Sequence, residues 1–498
     1  MDRLLRRGSG GFAGQLKHAR EQGSPARPAN KWLVFALVAV GIFMSTLDGS
    51  IVNVALPSIL ADFGAPLSTA QWVVLIYLLT VSSLLLSFGR LSDIRGRKRV
   101  YVRGLCCFSL GSAACALSPS AGLLIAARAF QGVGAAMLMA CTPALLADNF
   151  PAAQRGRALG MMGTVVAGGL TLGPALGGII LSALSWHYIF WINVPVGMGG
   201  ALLAHFKLHS GDTKHEAFDL PGAGLLVLFL APLLTALSRG RDWGFSSVRF
   251  GLVLAFALLA GALFLWREHR AEHPILDLSL FKNRLFSGSA ASAAAMFTSL
   301  FFVSFLMPFY LITFLGLPES RAGAILVIPF FFLFAGAYVT GWIYDRTGSR
   351  GLTTLGMIVL CAALLLLTTL DPADGLWGVY LRLAAAGVGV ALFAPPNNAA
   401  ILSAVPVERR GVTAATLAAA RNMGMMAGVA LAAAVFTFVF QEQTGGVLLK
   451  EYAPEHSGAF LAAFHTAMGV GAAVAAAGAA AAWLRGPDGP AGRRQPPA

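Results

Sequence analysis

Long apolar runs alternate with short polar links along the chain from Trp32 to Trp483. A hydrocarbon core about 30 Å thick is crossed by a helix of about 20 apolar residues. Segmented on that length, the chain predicts roughly fourteen transmembrane helices, the first near 33–56 and the last near 459–484. The links carry a second pattern, because every other one is basic. Basic links lie at 90–103, Arg155 with Arg157, Lys207 with Lys214, 267–284, Arg346 with Arg350, Arg409 with Arg410, and 485–494. Positive charge accumulates on the cytoplasmic side of membrane helices, so these links and both termini are expected in the cytoplasm. The exception is the basic hairpin Arg239, Arg241 and Arg249 between the seventh and eighth runs.

Composition agrees with the pattern, since 57% of residues are hydrophobic, 12% are charged and the mean hydropathy is +0.73. Those values exclude a soluble fold. The net charge of +14 falls in short clusters between apolar runs, with no basic face interleaved with aromatics, so no nucleic-acid partner is expected. The five cysteines lie inside apolar runs without CxxC or Cys/His spacing, which argues against a disulfide framework or a metal site. GSGGFAG at Gly8 follows no strand and is not a dinucleotide loop. Arg6-Arg7 precedes an apolar run too long for a cleaved export signal, so residues 1–31 read as a disordered basic tail, matched by a second tail at 486–498.

The chain also repeats itself. In GRLSDIRGRKR, Gly89, Asp93 and Gly96 have the spacing of Gly341, Asp345 and Gly348 in GWIYDRTGSR. PAAQRG at Pro151 returns as PVERRG at Pro406, and Arg128 ahead of GVG returns one residue looser as Arg382 ahead of GVG. The basic links of both copies fall on one side, which makes these parallel repeats. The expected division is a six-helix half at 32–208, two inserted helices at 209–270 and a second six-helix half at 271–485.

Several motifs occur together in order: LDGSIVNVALP in span one, GRLSDIRGRKR after span two, RAFQGVG in span four, GLTLGPALGG in span five and WINVPVG in span six. In these the chain resembles the fourteen-helix drug:proton antiporters of the major facilitator superfamily, from about Lys31 to Arg485. The resemblance implies an all-α polytopic fold in the inner membrane and a proton gradient in place of any cofactor. It also implies a small-molecule substrate and, as in some relatives, a periplasmic adaptor subunit. One departure is Ile94, where the family has Arg directly after the Asp of the loop motif. The second copy, Asp345-Arg346, keeps the usual order.

Asp48 is the one carboxylate in the interior of a span, where a charge costs about 3 kcal/mol or more unless paired or wet. Span four runs back toward the basic side, so Arg128 shares its depth. Burial favours a protonated carboxyl and a nearby guanidinium favours the carboxylate, so a pair whose geometry changes with conformation can take up and release protons. A static ion pair between two helices is the rival reading. The loop motif reads in two ways as well. Basic residues alone fix topology, whereas Gly89, Asp93 and Gly96, with Arg97 as the ionic partner that the resemblance implies, make a cytoplasmic latch, with Asp345 and Arg346 as its second copy. In span five, Gly169, Gly173 and Gly177 recur every fourth residue, with Pro174 and Gly178 beside them. This is tight, bent packing that suits a gate, and the family's antiporter motif; ordinary small-residue packing is the alternative. GMMAG at Gly424 repeats the glycines with Val429 in place of proline. Asn53, Gln131, Asn397, Asn398, Arg421 and Asn422 are candidates for a substrate cavity, and interhelical hydrogen bonding is the competing role for the asparagines. The Phe-rich run at 297–314 suits either a lipid-facing surface or a cavity wall.

These features point to proton-coupled export of small, mostly apolar organic compounds, with import or facilitated passage of a solute as the alternative. No Ser/His/Asp, HExxH or paired-carboxylate constellation supports an enzyme. Removal of residues 1–31 or 486–498 is expected to leave insertion and transport intact, with both tails labelled only from the cytoplasmic side in cysteine-accessibility assays. Labelling from outside, or an inserted but inactive truncation, contradicts this.

Overall fold

The computed structural model describes residues 31–208, 220–244, 246–271, 278–403, 405 and 410–486. Both expected tails beyond Lys31 and Gly486, the link at 209–219 and most of PVERRG lie outside the described residues. Among the described residues the chain is helical without strands.

The helices are α1 Lys31–Phe63, α2 Leu67–Arg95, α3 Arg97–Ala116, α4 Ala121–Asn149, α5 Ala152–Ala183, α6 Tyr188–Lys207 and α7 Leu220–Trp243. They continue as α8 Val248–Arg270, α9 Arg284–Phe314, α10 Glu319–Thr347, α11 Ser349–Leu367, α12 Gly375–Ser403, α13 Arg410–Thr444 and α14 Ser457–Leu484. Among the described residues twelve helices are long and apolar enough to cross a membrane. The two that fall short are α3, which opens on Arg97, Lys98 and Arg99, and α7, whose apolar stretch is Gly224–Ala236. Helix α1 continues through Pro57 to Phe63, beyond the expected end of the first span near residue 56.

Two turns have the same construction. Gly96 between α2 and α3 has φ of 92°, and Gly348 between α10 and α11 has φ of 78°. That left-handed region is open to glycine and costly for other residues, so the loop-motif glycine makes the sharp reversal between antiparallel helices. Both turns lie at what we term the basic end of the bundle.

Helix pairings repeat in the same way: α1 with α5 and α9 with α13, α2 with α4 and α10 with α12, α3 with α4 and α11 with α12. The repeat extends to single hydrogen bonds. Ser50 of α1 donates to the Gly169 carbonyl at 3.1 Å, and Thr298 of α9 donates to the Gly424 carbonyl at 3.0 Å. Glycine sets the approach of α3 to α4, where a Cβ on Gly134 would lie 2.7 Å from Phe108 Cα, and of α11 to α12, where one on Gly389 would lie 2.7 Å from Leu360 N. Without water to drive apolar association, such close backbone contact supplies the packing energy. The Phe-rich run faces this interior rather than lipid: Phe301, Phe302, Phe305 and Phe309 are buried, and Leu300, Val303 and Ser304 beside them border a small internal space. The helices α7 and α8 pair with each other, and α7 also packs on α2 and α13.

The glycines predict their own tolerance. Gly134→Val is expected to cost about 2 kcal/mol or more in folded stability and to lower membrane yield, because the helix crossing has no room. Gly89→Val, with nothing within 4 Å of its Cβ, should leave the melting temperature of purified protein unchanged. Equal losses in the two variants contradict the packing account.

Candidate functional site

The polar interior of the first repeat is one network. Arg128 of α4 forms an ion pair with Asp48 of α1, and both side chains are sealed from solvent, at 1% and 0% exposure. Arg128 also donates to Gln131 Oε1 at 2.6 Å and to the Val73 carbonyl at 3.2 Å, and its guanidinium lies 4.2 Å from the centre of the Tyr77 ring. Asp48 Oδ1 accepts from Gln131 Nε2 at 2.8 Å and from Asn193 Nδ2 at 3.1 Å. Gln131 Nε2 is shared with Ser112 Oγ at 2.8 Å. Helices α1, α4 and α6 thus meet at one carboxylate, and α2 and α3 join them through Arg128 and Gln131. A buried ion pair whose remaining valences are met by further hydrogen bonds escapes most of the desolvation penalty of an isolated pair.

Beside the network, α5 packs through two faces. Gly169, Gly173 and Gly177 rest on α1, where a Cβ on Gly177 would stand 2.9 Å from Ile51 Cγ1. Pro174 and Gly178 face α10 of the second repeat: a Cβ on Gly178 would lie 2.5 Å from the Glu319 carbonyl oxygen and 3.0 Å from Gly323 Cα. Thr171 donates to the Phe330 carbonyl at 3.2 Å, and Asn53 of α1 donates to Ser304 of α9 at 3.1 Å. These contacts hold the repeats together in the half of the bundle away from the basic end. A space of about 10 Å³ lies at their centre beside Asn53 and Pro174, and one of about 520 Å³ lies beyond them, lined by Asp62, Trp186, His187 and Glu319.

The model of the Major Facilitator Superfamily matches residues 38–433. The chain is 35% identical over 408 residues to the riboflavin transporter RibZ of Clostridioides difficile, covering 82% of this chain and 88% of that protein. It is 33% identical over 414 residues to the multidrug resistance protein Stp of Mycobacterium tuberculosis, covering 82% and 76%. Among solved structures, a bacterial homologue of the human lysosomal transporter Spinster, inward-facing and occupied, superposes with a TM-score of 0.66 at 13% identity over 92% and 97% of the chains. The chain belongs to the Major Facilitator Superfamily. It is a multi-pass membrane transporter and not an enzyme, and relatives named for multidrug resistance accord with the drug:proton antiporter branch.

Within this facilitator the loop motif is engaged on one side. Arg97 donates to Asp93 Oδ1 at 2.9 and 2.8 Å and pairs with Asp148 at the end of α4. These contacts stay inside the first repeat, and Gly89 faces open space. In the second copy Asp345 is exposed, and Arg346 stacks on Trp342 at 3.6 Å. Ser349 stands where the first copy has Arg97, and a guanidinium comes instead from Arg485, which reaches Ser349, Ser289 at 2.6 Å and Asn397 at 2.9 Å.

The cavity candidates separate accordingly. Gln131 belongs to the Asp48 network and Asn397 to the Arg485 cluster, where it also donates to the Ser289 carbonyl at 3.2 Å; both are interior to one repeat. Asn398 is exposed on α12. Asn53 alone of the asparagines bridges the repeats through a side chain. Arg421 and Asn422 lie on α13, with the Arg421 guanidinium 5.8 Å from the Phe297 ring centre. Arg382, matched in sequence to Arg128, pairs with Asp374 at 2.8 Å at the far end of its helix. Aligning Gly134 with Gly389 shows why, since Leu383 then takes the place of Arg128.

Asn193, Asp148, Gly323 and Arg485 escaped the sequence reading. Asn193 sits inside WINVPVG, so a polar residue opening an apolar run was its available signal. Gly323 has no motif around it and is revealed by contact alone. Gly323→Val should force α10 off Pro174 and Gly178 and open this end of the bundle. In a background lacking the five native cysteines, a cysteine at Ser58 should then react several times faster with an impermeant maleimide. An unchanged rate contradicts a gate at this crossing.

Proposed function

We propose that this chain is a proton-coupled antiporter that exports small, mostly apolar organic compounds by alternating access. The observation that carries the proposal is the buried Asp48 network, a single carboxylate surrounded by replaceable partners. When Asp48 takes a proton, Arg128 still has the Gln131 oxygen, the Val73 carbonyl and the Tyr77 ring to hold it. A static pair needs no such alternatives. Asp48 is sealed in this conformation, so proton exchange accompanies a rearrangement of α1 against α4.

The contacts at Asn53, Thr171 and Gly178 describe a state closed at the end away from the basic links. Taking the basic end as cytoplasmic makes this a state closed toward the outside of the inner membrane, with both termini inside. Switching outward exchanges these few hydrogen bonds and glycine contacts, each bond worth about 1 kcal/mol, for closure at the loop motif. There Gly89 admits a helix of the other half and Arg97 changes partner. We read α3 and α7 as further spans, which gives fourteen: α3 packs against α4 and α6, and α7 and α8 form the inserted pair. The cycle as drawn requires no cofactor and no adaptor subunit.

A relative named a riboflavin transporter favours a second reading, uptake or facilitated passage of an organic solute. The direction of flux in inverted vesicles separates the two.

Asp48→Asn should insert and fold, lose pH-gradient-driven transport in proteoliposomes and retain substrate exchange without a gradient, because exchange requires alternation but no net proton movement. Asp48→Glu should keep part of the activity with a displaced pH optimum. Gradient-driven transport at the wild-type rate by Asp48→Asn would refute the coupling role.

A further inference from the structure

Arg421 is a charge at membrane depth for which the coupling network has no use. It lies five residues inside the apolar stretch Thr416–Thr444 of α13, and Phe297, the ring beneath it, is near the middle of α9. Arg421, Gly424 and Gly428 fall on one helix face, and the two glycines press on Ala294 and Thr298 of α9. The position is therefore held at depth by tight packing and cannot drift to the surface. Among the described residues Arg421 pairs with no carboxylate, and its Nε meets no protein acceptor. The amide of the adjacent Asn422, 4% exposed, likewise has an Nδ2 without a protein acceptor. Arg421 itself is half-buried.

Arginine stays charged at any physiological pH, and a guanidinium at membrane depth is tolerated only where it is paired or faces a wet passage. Elsewhere this chain meets that demand internally, as with Arg128 on Asp48. In the first repeat, Val166 occupies the place of Arg421 and Gly49 that of Phe297, so the duplicated framework is built without either group. The packing shared by the two repeats therefore does not by itself call for a charge here, and α13 also packs across to α2 of the other repeat.

We propose that Arg421, with the Phe297 ring, is a binding site for a carboxylate or similar oxyanion carried on an apolar, ring-bearing substrate. The guanidinium takes the anion in a charge-assisted hydrogen bond and the phenyl ring receives the substrate's apolar ring. This rests on the reading of the chain as a transporter of small organic compounds and narrows its cargo to anions.

The test is equilibrium binding of naphthoate and its neutral analogue naphthamide to the full-length protein in lipid nanodiscs, with empty nanodiscs as blank. Wild-type protein should bind naphthoate about tenfold tighter or more, the gain of a charge-assisted bond. Arg421→Gln should erase that preference and Arg421→Lys should keep part of it, a rescue that a purely structural arginine would not show in the ratio. Phe297→Glu retains the guanidinium but supplies a counter-charge, so it should erase the preference as well, and it serves if Arg421→Gln does not fold. Equal binding of both probes by wild-type protein, or a preference that survives in either Arg421→Gln or Phe297→Glu, overturns the proposal. Binding is read without a gradient, so failure of proton coupling at Asp48 leaves this result standing, and the reverse holds too.

Discussion

A charge placed in hydrocarbon must find its counter-charge and its hydrogen-bond partners within the protein, and the first repeat is organised around that demand. Asp48 draws Arg128, Gln131 and Asn193 to one point and, through them, fixes α1 against α4 and α6. The same demand explains the depth match of two residues 80 positions apart. Arg128 in turn is held by more than its counter-charge, through the Gln131 oxygen, the Val73 carbonyl and the Tyr77 ring.

Glycine decides how the helix carrying Asp48 is joined to the other repeat. The repeat Gly169, Gly173 and Gly177 ties α5 to α1, the helix that carries Asp48, while the opposite face, Pro174 and Gly178, meets Gly323 of the other repeat. Helix α1 is therefore one helix away from the crossing that joins the two repeats. Close backbone packing suits this role because it is short-ranged and bistable: contact is either made along the whole crossing or lost.

Duplication supplied the framework twice and the chemistry once. Ser50 and Thr298 make equivalent hydrogen bonds, and Gly96 and Gly348 make equivalent turns. The counterparts of Asp48, Arg128 and Gln131 in the second repeat are Met296, Leu383 and Ala386, all buried and apolar. The second repeat instead carries Arg421 over Phe297 and the Arg485 cluster. The repeats thus share their packing rules and differ in every buried charge.

The sequence by itself determined the membrane class, the helical content, most helix positions and the internal repeat. Each of these follows from local quantities: the length of an apolar run, the sign of charge in a link, the spacing of Gly89, Asp93 and Gly96. It also singled out Asp48 and Arg128, because a charge inside an apolar run is conspicuous wherever its partner lies. Only the tertiary structure decided partnership. Gln131 and Asn397 looked like cavity residues until the fold turned them into the interiors of separate repeats. Arg382 matched Arg128 by motif and was moved away by a slip of one residue, about 100° around a helix. Gly323 and Asn193 sit in unremarkable surroundings along the chain, and what they touch depends on which helices cross and at what angle. That geometry is the summed result of many distant contacts, and no window of sequence contains it.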